Sequence, residues 1–332
     1  MGFLGLFGNY DKPGPGVNKD EPPKAAPVRF FEILFRKFTK LVQLNLIFII
    51  PTLVALALMF LLYMVPFHFI VQLQNIVIDG WATFVVPLPL VLLSPFTAGL
   101  TLVTRNFARE EHAFVWSDFW DAVKGNWKYF LINGFLCYSV FTLLGFAILY
   151  YYSMAGVEWL NYIPCWICLV VAIIFLFAQF YLPMMFVTFD LKFSHAYKNA
   201  MIFTIAGFGR NIFLTLIMGV LVFVIISVPM LNITVLILFL LFAFFIFAFF
   251  SYLINFTIYP IINGYLIEPY QKMQKEKEEA ATKGIAGEDF SGLFAQLPEE
   301  EEDENEEEKY VYVNGKLVKK SELNKEPDKS IE

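Results

Sequence analysis

The chain has 332 residues, 58% of them hydrophobic and only 16% charged, and 39 are phenylalanine; a water-soluble core of this length needs far less apolar material. The net charge of −6 with no dense basic patch argues against a nucleic-acid partner. The three cysteines give neither a disulfide framework nor a zinc spacing. The expected class is all-α: a polytopic membrane protein.

Residues 1–27 are rich in Pro, Gly and Lys after the apolar patch Phe3, Leu4, Leu6 and Phe7. They are read as a cytosolic linker. No apolar run of signal-peptide length follows the start, and Leu6 breaks the myristoylation pattern. Arg29, Arg36, Lys37 and Lys40 then form a basic cluster that holds this end inside. A helix needs about 20 apolar residues to cross a bilayer, and six runs qualify: about 41–65, 82–104, 128–152, 162–188, 211–230 and 233–258. An even number returns the C-terminus to the cytosol. The loops predicted outside, near 66–81, 153–161 and 229–233, hold no Lys or Arg, so all 24 basic residues fall on the inner side, as the positive-inside rule requires. Trp81 and Trp159 mark the outer interface; Trp116, Trp120 and Trp127 mark the inner one. The sixth run stays apolar to about Ile267, too long for one straight crossing, and is expected either to bend near Asn255 to Pro260 or to project beyond the membrane.

Ser94 and Pro95 suit an N-cap and a first helical position, and Pro87 and Pro89 lie upstream. The second run therefore reads either as two half-helices meeting in the membrane or as an ordinary proline kink. Beyond Arg105, the residues Trp116, Phe119, Trp120, Val123 and Trp127 share one helical face, opposite Asp118, Asp121 and Lys124. With Ser117 as N-cap and Lys124–Gly125 at the end, this predicts a two-turn amphipathic helix along the inner interface. Its acids suit the helix dipole, but they also suit a basic partner. Asp118, Asp121, Trp116, Phe119 and Trp120 are thus the candidate docking residues.

No Asp, Glu, Lys, Arg or His sits near the middle of a span, which speaks against a proton-coupled carrier. Asn45, Asn133, Gln179 and Asn255, with Ser94 and Thr97, are the candidate intramembrane polar site, able to meet sugar hydroxyls or to bond helix to helix. Cys165 and Cys168 form a C-x-x-C within an apolar run, without the basic surroundings that activate a thiol. His68, His112 and His195 have no acidic or histidine companion at ligand spacing. No nucleophile elbow, phosphate-cradling loop or paired intramembrane carboxylates are present. The expectation is no enzyme and no cofactor.

An offset of 84 residues superposes Val103, Thr104, Phe119, Ala122 and Gly125 on Val187, Thr188, Phe203, Ala206 and Gly209, either a parallel repeat or chance in apolar sequence. Residues 271–332 carry the whole excess of acid, including a like-charge block from Glu299 to Glu308, and such blocks are usually solvated and disordered. Within this tail, residues 310–320 alternate apolar and polar around Asn314–Gly315, a type I′ hairpin signal.

The segments P-F-T-A-G-L from Pro95, R-x-x-x-R-E-E from Arg105 to Glu111 and D-F-W-D-A-V-K-G-N-W-K from Asp118 to Lys128 resemble the YesL-like family of bacterial membrane proteins. So does GNYDKPGPGVNKDEP from Gly8, followed by the basic cluster and Leu44–Asn45. The resemblance covers residues 8–270 and sets the division into linker, membrane domain 28–270 and tail 271–332. It implies a bacterial cytoplasmic membrane location and company with carbohydrate uptake, with carbohydrate ABC transporter subunits as possible partners beside the lipid bilayer. The resulting expectation is a non-enzymatic accessory or regulatory component, the alternative being a solute-translocating component for oligosaccharides; oligomeric state is open. Single-cysteine labelling from outside should modify positions in 70–78 and 153–160 and spare positions in 110–125; outside labelling of residue 118 would invert the orientation.

Overall fold

The structure is a computed structural model that describes residues 24–227, 244–282, 310–313 and 316–319. Residues 1–23 of the linker, the start of the sixth predicted run, the acidic block and the Asn314–Gly315 turn lie outside the described residues. So does the whole 229–233 loop.

Helix α1 (Ala26–Arg36) is joined to α2 (Phe38–Tyr63) by Lys37 alone. A short hairpin, β1 (Ile70–Gln72) with β2 (Val77–Asp79), pairs antiparallel with Ile70 opposite Asp79 and leads into α3 (Gly80–Phe84). Helix α4 (Leu90–Leu93), a 3-10 turn (Ser94–Phe96) and α5 (Thr97–Ala108) follow. The long α6 (Val115–Ala155) and α7 (Tyr162–Thr188) come next, then α8 (Phe193–Ala206) and α9 (Phe208–Ser227). After the undescribed stretch come α10 (Ile246–Ile262), a π-helical turn (Asn263–Ile267) and α11 (Glu268–Thr282). In the tail, β3 (Tyr310–Val313) pairs antiparallel with β4 (Lys316–Lys319).

Among the described residues, five helical segments are long and apolar enough to cross a membrane, or six if α8 and α9, bent by 88°, are one span. Ile50, Leu53, Val54 and Leu61 on α2 are exposed, an apolar side that only a bilayer or an apolar partner would solvate. The protein is a multi-pass, all-α membrane protein.

Several boundaries depart from the sequence reading. The second run is not one helix: Pro87 to Pro89 separate α3 from α4, and the Ser94–Phe96 turn tightens to 3-10 geometry. Ser94 lies in right-handed helical conformation and donates from Oγ to the Val91 carbonyl at 2.6 Å, so it does not cap a half-helix; this is a proline kink. The two-turn helix at 117–124 does not exist as a separate element. Gly125 interrupts nothing, and α6 runs for 41 residues, about 60 Å at 1.5 Å per residue. Its N-cap is Phe114 rather than Ser117. What is described of the sixth run packs along α2 and α5, with Phe245 on Phe38, Phe247 on Phe48 and Asn255 against Thr101 and Thr104. The helix is unbroken through Asn255 and Pro260, changes to π geometry at Asn263 and runs on as α11 to Thr282, the course of a run that continues past its apolar part.

Two apolar clusters hold the bundle together. One surrounds Tyr181, Leu182, Met184 and Met185 of α7; the other joins Ile33, Leu41, Leu44, Phe107, Phe119 and Tyr252. In the second, α5 and α6 approach so closely that a Cβ on Gly99 would lie 2.2 Å from the Phe119 ring. Only glycine fits without moving that ring. Gly99→Val should therefore destabilise the protein by roughly 1–3 kcal/mol through overpacking, read as a lowered unfolding midpoint in detergent; an unchanged midpoint would contradict this packing.

The hairpin also gives His68 the acidic companion that local spacing did not reveal. Asp79 lies 2.6 Å from His68 Nδ1 and caps α3 by accepting from the Trp81 and Ala82 amides at 3.0 and 3.2 Å. Desolvation pushes its pKa upward, but the Ala82 amide, His68 and the Trp81 amide together outweigh that and hold it below its ordinary 3.8. A depressed carboxylate contributes stability above its unfolded pKa and loses it as pH falls through the folded value. Hydrogen exchange at Trp81 and Ala82 should accelerate as pH is lowered through that range, after correction for intrinsic rates, and Asp79→Ala should abolish the pH dependence.

Candidate functional site

The richest polar chemistry lies at one end of the bundle, where α5 stops. Its last turn closes as a Schellman motif, with the Glu111 amide bonded to the Asn106 carbonyl at 2.8 Å and the Glu110 amide to that of Phe107 at 3.0 Å. Such a motif places its C′ residue in left-handed conformation, usually as glycine. Here that residue is Glu110, at φ 61°. Its carboxylate meets Arg36 Nη2 at 2.7 Å and Arg29 Nε at 3.1 Å. Only the Arg36 contact has hydrogen-bond geometry; the Arg29 contact is an ion pair. Arg29 Nη2 reaches the Ala108 carbonyl at 3.3 Å, and the Tyr252 hydroxyl donates to the Phe30 carbonyl at 3.1 Å. Helix α1 is thereby bound to both α5 and α10.

Arg105, just past the second apolar run, is 1% exposed. Its Nη1 donates to Thr188 Oγ1 at 3.0 Å and to the Val187 carbonyl at 3.3 Å, and its Nε and Nη2 to Asn106 Oδ1 at 3.2 and 2.9 Å. The guanidinium thus sits at the C-terminal, negative end of the α7 dipole. Arg109 lies over the Tyr259 ring and 2.7 Å from Glu111. The R-x-x-x-R-E-E segment is a junction among α1, α5, α7 and α10.

The six candidate intramembrane polar residues do not converge. Asn45 Oδ1 accepts from the Ala248 amide at 3.0 Å, so α2 satisfies an open amide in the first turn of α10. Asn255 Nδ2 donates to Thr104 Oγ1 at 2.6 Å and to the Thr101 carbonyl at 3.3 Å, and Thr104 Oγ1 is 2.8 Å from Ser251 Oγ. This stitches α10 to α5. Asn133 and Gln179 do meet, at 3.1 Å, and Asn133 Oδ1 also accepts from the Tyr197 hydroxyl. Buried Gln179 Nε2 has no hydrogen-bond partner among the described residues. Ser94 and Thr97 bond locally, Thr97 Oγ1 to the Ser94 carbonyl at 2.6 Å.

The candidate docking residues are divided by depth. Trp116 is exposed and Trp120 half-buried, while Phe119 is wholly buried beneath Gly99 and cannot face a partner. Asp118 Oδ2 accepts from the Phe114 amide at 2.9 Å, and Asp121 Oδ2 from Ser117 Oγ at 3.2 Å. Asp118 lies in the first turn of α6, where it favours the positive end of the dipole; Asp121, a turn further on, remains exposed. Sequence reasoning missed the burial of Arg105, the Glu110 bridge and the Tyr181–Asn211 hydrogen bond of 2.8 Å. A usable signal for the first was the superposition of Val103–Thr104 on Val187–Thr188, because Arg105 joins those two helix ends. Among the described residues no group of three or more His, Cys, Asp or Glu could hold a metal.

A family model described as "Protein of unknown function, DUF624" matches residues 41–150, from early α2 to late α6. No curated protein and no solved structure matches the chain. Replacing Arg105 by Met should part α5 from α7 at a loss of about 1.5–3 kcal/mol for each charged hydrogen bond removed. Arg105→Lys, which keeps charge without the planar fork, should fall between; equal stability of all three proteins would refute the junction.

Proposed function

We propose that this chain is a non-enzymatic accessory or regulatory component of a carbohydrate-uptake assembly in a bacterial cytoplasmic membrane, with both termini cytosolic. The observation that carries the accessory reading is the use of the intramembrane polar groups. Asn45, Thr104, Ser251 and Asn255 bond helix to helix, whereas a solute path needs such groups turned to a wetted surface. The carbohydrate association rests on the YesL-like resemblance, and the orientation on the one-sided basic residues. Partners of fitting chemistry are the membrane subunits of a carbohydrate ABC transporter, meeting the exposed Trp116 and Asp121 at the start of α6.

The translocator reading keeps one favourable feature, the spare Gln179 Nε2 donor beside Asn133 and Tyr197. Purified protein in liposomes distinguishes the two: the accessory reading expects oligosaccharide uptake only with an ATPase and other membrane subunits, and uptake by this chain alone would overturn it. In mild-detergent purification, Asp118→Asn with Asp121→Asn should retain fold and insertion yet lose the co-purifying subunits. Retention of every subunit would remove α6 as the docking element.

A further inference from the structure

Helix α1 has three faces. At 100° per residue, Phe30, Ile33 and Leu34 lie toward the bundle, where Ile33 and Leu34 are 1% and 8% exposed. Glu32, Arg36 and Arg29 form a second, polar sector. Val28, Phe31, Phe35 and the following Phe38 fill the third, and they are 56%, 54%, 73% and 46% exposed. Phe38 rests on Phe245, with ring centroids 5.0 Å apart; no contact from another element covers Val28, Phe31 or Phe35 among the described residues, and such large apolar side chains are costly to leave in water.

We infer that α1 is an in-plane anchor whose phenylalanine face lies in the bilayer interface and whose arginines engage the phosphates of anionic phospholipid. Two observations select lipid as the occupant. One is continuity: only Lys37 separates α1 from the apolar span α2, so the Phe face begins where a bilayer-crossing segment begins. The other is charge: between residues 24 and 40, Lys24, Arg29, Arg36, Lys37 and Lys40 stand against Glu32 alone, complementary to an anionic leaflet. Arg36 and Arg29 are 48% and 41% exposed while they hold Glu110, so Glu110 and a headgroup phosphate compete for the same forked donors. The lipid charge therefore sets how firmly α1 is held to the α5 turn.

The test places a nitroxide at Phe31→Cys, Glu32→Cys or Phe35→Cys in the full chain with Cys137, Cys165 and Cys168 replaced by Ala. The protein is reconstituted in nanodiscs of phosphatidylcholine alone or mixed with phosphatidylglycerol. Labels at 31 and 35 should be open to oxygen and closed to a water-soluble nickel chelate, with the reverse at 32. Phosphatidylglycerol should draw labels 31 and 35 deeper; Arg36→Gln should abolish that shift and Glu110→Gln enlarge it. Nickel access at 31 and 35 would place the face in water, and exclusion of both colliders would mean that a protein or a second copy covers it. Either result, or equal depth in the two lipids, overturns the inference.

Discussion

The end of the bundle depends on one electrostatic constraint, the burial of the Arg105 guanidinium. A cation taken out of water is tolerable only if its donors are used and compensating negative potential is near. Here that potential comes from backbone dipoles: α7 ends so that the Val187 carbonyl and the Thr188 hydroxyl face Nη1. A helix C-terminus has open carbonyls in any case, so one contact satisfies both a charge and a helix end. The price is geometric, because α5 and α7 must terminate at the same level, and the apolar layers above them inherit that alignment.

The same economy recurs one turn later. A non-glycine residue in left-handed conformation is strained by roughly 1–2 kcal/mol, and glycine at Glu110 would avoid it. Glycine has no carboxylate, however, and Arg29 and Arg36 would then lose the group that fastens α1 beneath α5. Asn45 acts similarly from another helix, lending its carbonyl oxygen to the Ala248 amide. In a medium where apolar burial drives helix association weakly, satisfying backbone ends across helices is a principal source of specificity.

These arrangements explain which features were legible in the sequence. Apolar run length and basic-residue placement are local quantities, so the multi-pass class and most span positions could be read directly; α2 and α7 lie close to their predicted bounds. The 117–124 segment was misread because amphipathicity shows that a face is apolar without showing what it touches: Phe119 and Val123 face α5 instead of lipid. The lipid-type apolar face belongs to α1, which local sequence presented chiefly as a basic cluster. The candidate polar residues were rightly noticed as unusual in apolar runs, but their partners lie up to 203 positions away, and only the fold supplies them. His68 and Asp79 stand only 11 positions apart, but it takes the hairpin between them to bring the two side chains together.

The proposed repeat illustrates the difference between matched residues and matched mechanics. Its glycines, Gly125 and Gly209, each have open space where a Cβ would stand, and neither marks a bend. The 88° break falls at Gly207, where a Cβ would lie 2.1 Å from the Tyr181 hydroxyl and 2.7 Å from Ile261. Asn211, fully buried, donates to the Thr204 carbonyl at 3.0 Å and accepts from Tyr181 at 2.8 Å, filling the hydrogen-bonding gap that the break opens. At the positions 84 residues earlier stand Val123 and Trp127. Valine carries the Cβ that such an approach excludes, and the indole has no acceptor. Lacking both devices, the first copy continues straight through Gly125 as α6, while the second turns at Gly207 into α9.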